Sequence, residues 1–293
     1  LASPPSRVSY VLWSQCGART LRASVAPPPL IAFALSATLA LLSALLVAAP
    51  AESKQPRRIG QVVSEDCYNL ALFVSLDDEQ VERAAAMLPR EFTLTSEPTL
   101  LVESSTCARA TVNGRAIGRF HLSEAALSIE QPRELSSAQM SETAPESIFM
   151  LSQLDTNKRL SRFKKRAGYR SEVTRIEIDL GNPLLPRTAT ASAGGRIAPS
   201  SVSVTLSPQL TPTGLTAPNP GIVYKLWTVD RRGRVVGTTN SNRELGNAAV
   251  GYGTVTVEKG TTLHRLLGST TASGYSISGS AAGFTNDTYR FRD

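Results

Sequence analysis

The sequence has few of the residues that bind metals or carry out well-known catalytic chemistry. Its two histidines, His121 and His264, have no second His or Cys at ligand spacing, whereas transition-metal sites need several such ligands at short intervals. No glycine-flanked serine has the spacing of a nucleophile elbow, and no glycine-rich segment matches a dinucleotide fingerprint. The sequence therefore predicts neither a metal site nor a cofactor.

Charged residues are absent from residue 23 to residue 51, and this gap contains a long apolar run, 30–49. Three arginines and no acid precede the run, and Ala49-Pro50-Ala51 follows it. A basic flank, an apolar core and small residues three and one before the cut are typical of a secretory signal peptide. We therefore predict that residues 1–51 form a signal peptide that is cleaved after Ala51.

Two alternatives to cleavage remain open. Twenty apolar residues are long enough to span a bilayer, so 30–49 is also compatible with an uncleaved membrane anchor. The leader is long before its apolar core, so part of 1–22 is also compatible with a start placed too early. Either way, residues 52–293 are predicted to form a single domain outside the cytoplasm, secreted or membrane-anchored.

Residues 52–293 combine a mild charge with one pair of cysteines, Cys67 and Cys107. The 28 basic and 24 acidic side chains give a formal charge of +4, which is too small to indicate nucleic-acid binding. An even cysteine count in an exported chain predicts a disulfide, with two buried free thiols as the alternative.

Two segments have the pattern of helices. Residues 77–88 place apolar residues on one face, with Ser75 and Asp78 resembling a capping box, and residues 157–167 turn Leu160 and Phe163 inward. Residues 52–63 are polar and predict a loose lead-in.

The remaining segments alternate or are rich in β-branched residues, which is typical of strands. The predicted strands are 68–76, 99–104, 107–112, 117–122, 127–131, 148–154, 173–180, 201–206, 223–229, 235–239, 250–258, 273–279 and 288–291. Asn113-Gly114 predicts a hairpin turn, 136–147 a polar loop, and 181–229 contains no acid. The fold class is mostly β with two or three helices, and closure into a barrel would hide the many strand edges.

The second predicted helix carries the densest positive charge of the chain, from Lys158 to Arg170. Most such runs are solvated helix faces, and an anionic partner is the alternative. The adjacent pair Lys164-Lys165 also permits a sharper hypothesis, because a lysine beside another cation has a depressed pKa, and its free amine can attack a carbonyl to form a Schiff base.

Three segments resemble the acetoacetate decarboxylase-like family: Met87-Leu88-Pro89 with the extended EPTLLVESSTCARATVNGR that follows it, RFKKRAGYRSEVTRIEIDL (162–180) and GYGTVTVEKGTTLHRLLG (251–268). The resemblance extends over about 60–290. It implies a closed β-barrel with an internal pocket and catalysis through a lysine pair.

By position, the resemblance implies that Lys164 is the Schiff-base nucleophile and that Lys165 lowers its pKa. Glu97 and Glu103 lie in roughly the region of the family's glutamate-containing segment. One departure is that Arg162-Phe163 precede the pair, where the family typically has Gly-x-Pro. The predicted helix also places both lysines opposite its buried stripe, which predicts that both are exposed.

Three functions are compatible with the sequence. The first is a secreted barrel that binds a small, carbonyl-bearing or anionic ligand in an internal pocket. The second is a lyase of the acetoacetate decarboxylase type. The third is a surface-associated interaction protein that uses the basic helix and 181–229 as contact surfaces. A membrane partner is expected only if 30–49 is an anchor, and the sequence predicts no oligomeric state.

Overall fold

The computed structural model describes residues 56–132, 146–179, 187–194, 200–206 and 223–291. The predicted leader, 1–51, and nearly all of the predicted polar loop, 136–147, lie outside the described residues. No helix within the described stretches has both the length and the apolar composition that crossing a bilayer requires.

Within these stretches, twelve strands join into one sheet. The strands are β1 (Arg57–Ser75), β2 (Thr99–Val112), β3 (Arg115–Ala116), β4 (Phe120–Ile129), β5 (Glu146–Asp155), β6 (Ser171–Val173), β7 (Ile176–Asp179), β8 (Arg187–Ala193), β9 (Ser200–Leu206), β10 (Val223–Val229), β11 (Val235–Val257) and β12 (Thr271–Arg290).

Seven of the strands close into a mixed β-barrel. The order is β10-β5-β4-β2-β1-β12-β11, and β11 pairs back onto β10 to complete the ring. The β5–β10 pairing is parallel and the other six barrel pairings are antiparallel. Strands β9, β8 and β7 continue the sheet from the far half of β11. The predicted class, mostly β with two or three helices and a closed or partly closed barrel, is confirmed, and the barrel is closed.

Three helices accompany the described strands: α1 (Asp78–Met87), α2 (Lys158–Ala167) and α3 (Thr262–Leu267). Helix α2 lies within the segment predicted for it, 157–167, and both of its ends are capped. The Asn157 side chain accepts hydrogen bonds from the backbone N–H groups of Arg159 and Leu160, and Gly168 ends the helix with φ 117°. Glycine adopts that left-handed conformation without the steric penalty of a Cβ.

The predicted capping box of α1 is wrong by two residues. Ser75 is the last residue of β1, so it pairs in the sheet and does not cap the helix. Instead, Asp77 Oδ1 accepts from the Gln80 backbone N–H at 2.8 Å, and Gln80 Oε1 accepts from the Asp77 backbone N–H at 3.1 Å. The helix therefore begins with a complete, reciprocal capping box.

Helix α3 lies outside the two segments that were predicted as helices, and it has only six residues. Its N-cap is Thr261, whose side chain accepts from the His264 backbone N–H. Leu263, Leu266 and Leu267 are buried and belong to the largest hydrophobic cluster of the described residues. Helix α3 therefore contributes a block of leucines to the core.

The first two strands are longer than predicted. The lead-in predicted over 52–63 is wrong from Arg57 onward, because β1 begins there and pairs with β12 on one side and β2 on the other. The two segments predicted as 99–104 and 107–112 are one continuous strand. The Asn113-Gly114 turn is confirmed, and both of its residues have positive φ, as a tight hairpin requires.

The predicted disulfide is confirmed. Cys67 and Cys107 are bonded, and they are directly opposite each other in the β1–β2 register. The bond closes a loop across 40 residues of sequence. It therefore ties together two neighbouring barrel strands whose connection contains α1.

The largest core cluster is centred on Trp227, which is fully buried. Its ring packs against Phe92 and Phe291, with centroid distances of 6.3 and 5.6 Å, and Phe92 in turn contacts Phe149 at 5.1 Å. The indole N–H donates to Ser147 Oγ at 3.2 Å. Because successive side chains of a strand point to opposite faces, the neighbour of Trp227 on β10, Leu226, faces the barrel interior.

Candidate active site in the barrel cavity

A cavity lies inside the barrel, lined by all seven barrel strands and by α2. The centre of a water molecule can occupy ≈ 40 Å³ of it. One water needs roughly 10–15 Å³ by that measure, so the space suits a few waters or one small organic molecule. A second cavity of ≈ 10 Å³ shares Glu103, Glu124, Tyr224 and Leu226 with it.

Two glutamates face each other across this interior. Glu103 of β2 and Glu124 of β4 are register partners, an arrangement that is unfavourable for two like charges. Ser105 Oγ donates to Glu103 Oε1 at 3.0 Å, and Gln153 Nε2 donates to Glu124 Oε2 at 2.8 Å. Burial, and then the charge of Glu124, raises the pKa of Glu103 to about 7, and burial likewise raises the pKa of Glu124. Near neutral pH this pair can therefore donate as well as accept a proton.

Lys164 of α2 supplies a positive charge to the same cavity. Lys164 is 9 % exposed, and its Nζ donates a hydrogen bond to Asp155 Oδ1 at 2.9 Å. Burial lowers the pKa of Lys164, but the charges of Asp155, Glu124 and Glu103 and the hydrogen bond to Asp155 outweigh it, so the net pKa is raised. At neutral pH the side chain is therefore an ammonium group.

A short hydrogen-bond chain holds Asp155 beneath Lys164. Asp155 is fully buried at the end of β5, and its Oδ2 accepts from Ser171 Oγ at 2.8 Å. Ser171 Oγ in turn shares a hydrogen bond of 2.8 Å with Ser161 Oγ. These contacts occupy both carboxylate oxygens and fix the ion pair between β5 and α2.

The prediction that both lysines are exposed is wrong for Lys164. Positions four apart share a helix face, so Lys164 lies beside the buried Leu160 rather than opposite it. Lys165 is exposed and lies in an outer groove together with Arg170 and Arg265. The structure therefore separates the two adjacent lysines, with one inside the barrel and one outside.

Of the predicted site residues, Lys164 and Glu103 come together in the cavity. Glu97 is exposed, precedes β2 and does not line it, and Lys165 does not line it either. Glu124 and Asp155 were not among the site residues predicted from the sequence. Each had a signal, since Glu124 is an isolated acid within the apolar segment 120–129 and Asp155 ends another apolar strand.

Across the described residues, no group of three or more His, Cys, Asp or Glu side chains is arranged to hold a metal ion. The carboxyls of the cavity are instead occupied by protein partners: a hydroxyl, an amide and an ammonium group. What the residues present can do is bind a small molecule, exchange protons with it and offer it an amine.

Known protein structures share this architecture, although no family model and no curated protein matches the sequence. An acetoacetate decarboxylase from Legionella pneumophila superimposes with a TM-score of 0.57 at 11% identity, covering 90% of this chain and 98% of that one. The chain has the acetoacetate decarboxylase-like fold. An acetoacetate decarboxylase-like enzyme from Sphingomonas wittichii RW1 gives a TM-score of 0.56 at 10% identity, covering 79% of this chain and 92% of its own.

A third structure of the acetoacetate decarboxylase-like fold contains a bound carbonyl compound. It is the enduracididine biosynthesis enzyme MppR complexed with pyruvate, with a TM-score of 0.51, 13% identity and coverage of 82% of this chain and 95% of that one. Identities this low establish the fold alone. The evidence for the chemistry of this chain is therefore the set of side chains in its own cavity.

Proposed function

We propose that the barrel binds a small carbonyl compound in its cavity and that Lys164 forms a Schiff base with it. The observation that carries this proposal is the amine of Lys164 lining the cavity between Asp155 and the Glu103–Glu124 pair. A nucleophile with neighbouring groups that can take and give protons is what imine formation requires.

The reaction balances with the groups present. Asp155 accepts a proton from the Lys164 ammonium, and the free amine attacks the carbonyl carbon to form the C–N bond. A proton moves from the attached nitrogen to the former carbonyl oxygen, which gives the carbinolamine. Its hydroxyl then takes a proton from the protonated Glu103 or Glu124, the C–O bond breaks, and water leaves. The proton held by Asp155 then replaces the one that the glutamic acid gave, so ammonium and carbonyl become a protonated iminium and water.

A lyase reaction is the activity that this intermediate would support, because an iminium withdraws electrons from the neighbouring carbon. The fold likeness to two proteins named as acetoacetate decarboxylase or decarboxylase-like supports this choice, as does the pyruvate complex of MppR. The raised pKa of Lys164 favours the alternative, a barrel that binds its ligand without turnover. Covalent trapping separates the two.

The test is reductive trapping. Purified protein is incubated with acetoacetate, pyruvate or hydroxyacetone and borohydride, and the adduct is located by peptide mass mapping. We expect an adduct on Lys164 and none in Lys164→Arg, which keeps a cation beside Asp155 but has no primary amine. Lys165→Arg is the matched control, because Lys165 is the adjacent, exposed lysine. Its trapping should equal that of the unchanged protein.

The contrary outcomes are distinct. Folded protein that traps none of the three compounds would leave ligand binding without covalent chemistry as the function of the barrel. An adduct that maps to Lys165 instead would move the chemistry out of the cavity altogether.

We also propose that this domain works outside the cytoplasm. The Cys67–Cys107 bond supports this, since disulfides persist mainly in oxidising compartments. Mass mapping of the N-terminus of the exported protein tests the cleavage site, and an intact 30–49 segment in a membrane fraction would favour the anchor.

A further inference from the structure

We infer that the cavity selects an uncharged, hydroxyl-bearing carbonyl compound over a keto acid or a plain ketone. This inference rests on the proposed function and concerns the class of ligand that Lys164 meets. Two independent features of the cavity wall carry it: its balance of charges and its unused hydrogen-bond acceptors.

The charge balance disfavours an anionic ligand. Among the described residues that line the cavity, Lys164 is the one basic side chain, and Asp155 already pairs with it. The other ionisable acids in the wall are Glu103 and Glu124, which become negative as the pH rises. A carboxylate on the ligand would therefore meet two acids and a cation that is already neutralised. An uncharged ligand avoids this repulsion.

Among the described residues, three amide oxygens in the wall have no hydrogen-bond partner: Gln153 Oε1, Asn240 Oδ1 and Asn286 Oδ1. Gln153 and Asn240 are only 3% and 6% exposed. A buried acceptor without a donor is costly, so most such groups in proteins are satisfied. All three residues line the same small cavity, so an occupant that donates hydrogen bonds could supply the partner that these oxygens lack.

The nitrogens of two of these amides are already used. Gln153 Nε2 donates to Glu124 Oε2 at 2.8 Å, and Asn240 Nδ2 donates to Tyr224 Oη at 3.0 Å. What each amide offers the cavity is therefore its oxygen, which can only accept. Asn240 and Asn286 are also register partners on β11 and β12, so their side chains stand side by side. Hydroxyl groups on a ligand of about three carbons match two adjacent acceptors.

Ordered water would satisfy the same oxygens, so the experiment has to separate water from a selective ligand. It compares the trapping rates of hydroxyacetone, fluoroacetone and pyruvate on Lys164. Fluoroacetone is close to hydroxyacetone in size and has an electron-withdrawing substituent but no donor. We expect hydroxyacetone to be trapped roughly tenfold or more faster than either of the others, because of the three only hydroxyacetone has a hydroxyl that can donate to an amide oxygen of the wall.

Substitutions test which residues of the cavity wall cause the preference for hydroxyacetone. Asn240→Leu removes the acceptor at similar volume and should bring the hydroxyacetone-to-fluoroacetone ratio close to that of a free alkylamine. Asn286→Leu should lower the ratio as well, and it serves if Asn240→Leu does not fold. Asn69→Leu is the matched control, because Asn69 Oδ1 is also buried and finds no partner in the described part of the chain, but Asn69 does not line the cavity. Its ratio should be unchanged.

Two results would overturn the inference while leaving the proposed function intact. The first is that pyruvate or fluoroacetone is trapped on Lys164 at least as fast as hydroxyacetone. The second is that the hydroxyacetone-to-fluoroacetone ratio is unchanged in folded Asn240→Leu. An unchanged ratio would mean that the Asn240 oxygen does not cause the preference. Trapping of none of the three compounds would refute the proposed function itself, and the ligand class with it.

Discussion

Replacing Glu103 with glutamine should stabilise the fold at alkaline pH and leave it unchanged at acidic pH. The carboxyl has a raised pKa of about 7 in the folded protein, against an ordinary value of 4.5, because of burial and then the charge of Glu124. One pKa unit corresponds to about 1.4 kcal/mol, so the rise corresponds to about 3 kcal/mol. Water in the cavity screens part of this cost, and we expect an effect of about 1–3 kcal/mol.

The sign follows from proton linkage. An acid whose pKa is raised on folding binds its proton more tightly in the folded state, so the fold is most stable while the acid is protonated. Glu103 costs no stability below pH 4.5, costs progressively more as the pH rises towards 7, and costs the full amount above it. Glutamine stays neutral throughout and can still accept the hydrogen bond from Ser105.

The assay is urea unfolding of the unchanged protein and of Glu103→Gln at pH 5 and at pH 8.5. The gain in the free energy of unfolding should be small at pH 5 and should reach the stated range at pH 8.5. Glu97→Gln is the control, because Glu97 is exposed and its replacement should change stability by less than roughly 0.5 kcal/mol at either pH. A loss of stability at pH 8.5, or an equal gain at both values, would refute the electrostatic account of this site.

Three further outcomes follow from the same contacts. Lys164→Met should lower the free energy of unfolding by roughly 3–5 kcal/mol in urea melts, because it leaves the buried Asp155 carboxylate without its ion-pair partner. Adding Asp155→Asn should recover part of the loss, and no recovery would contradict this explanation. The rate of trapping on Lys164 should rise with pH up to about pH 7 and then level off, because above that pH the gain in free amine is offset by the loss of protonated Glu103. In Glu103→Gln the break near pH 7 should disappear, and a retained break would assign it to another group. Converting both Cys67 and Cys107 to serine should cost roughly 3–4 kcal/mol by the loop-entropy account, and a cost near zero in urea melts would show that the open chain is already constrained.

The β-rich class was predictable because alternation and turn residues are local signals. Asn113-Gly114 fixes one hairpin by its backbone preferences, and Asn157 with Gly168 fixes both ends of α2. Strand length was not predictable in the same way. Residues 57–63 are polar enough to predict a loose segment, but they pair with β12, and from Val62 onward also with β2, so they belong to the sheet.

The site was harder to predict because it depends on strand register. Glu103 and Glu124 are 21 positions apart in sequence and become neighbours only when β2 and β4 pair in one particular register. The burial of Lys164 was accessible from helix geometry, since it follows Leu160 by one turn. The pairing of Lys164 with Asp155 was not, because it depends on how α2 packs against the end of β5.

The pairing of the first barrel strand with the last constrains how the protein can fold. β1 and β12 are hydrogen-bonded along most of their length, from Arg57 opposite Arg290 to Phe73 opposite Tyr275. Pairings between such distant parts of a chain form slowly, because the intervening loop must close first. While the chain is being synthesised from its N-terminus, β1 has to wait for β12, with one of its edges unpaired. A chain that emerges gradually from a ribosome or a translocation pore therefore has neither a closed barrel nor a complete cavity until the last barrel strand is free, and the wall of the site is completed only in that step.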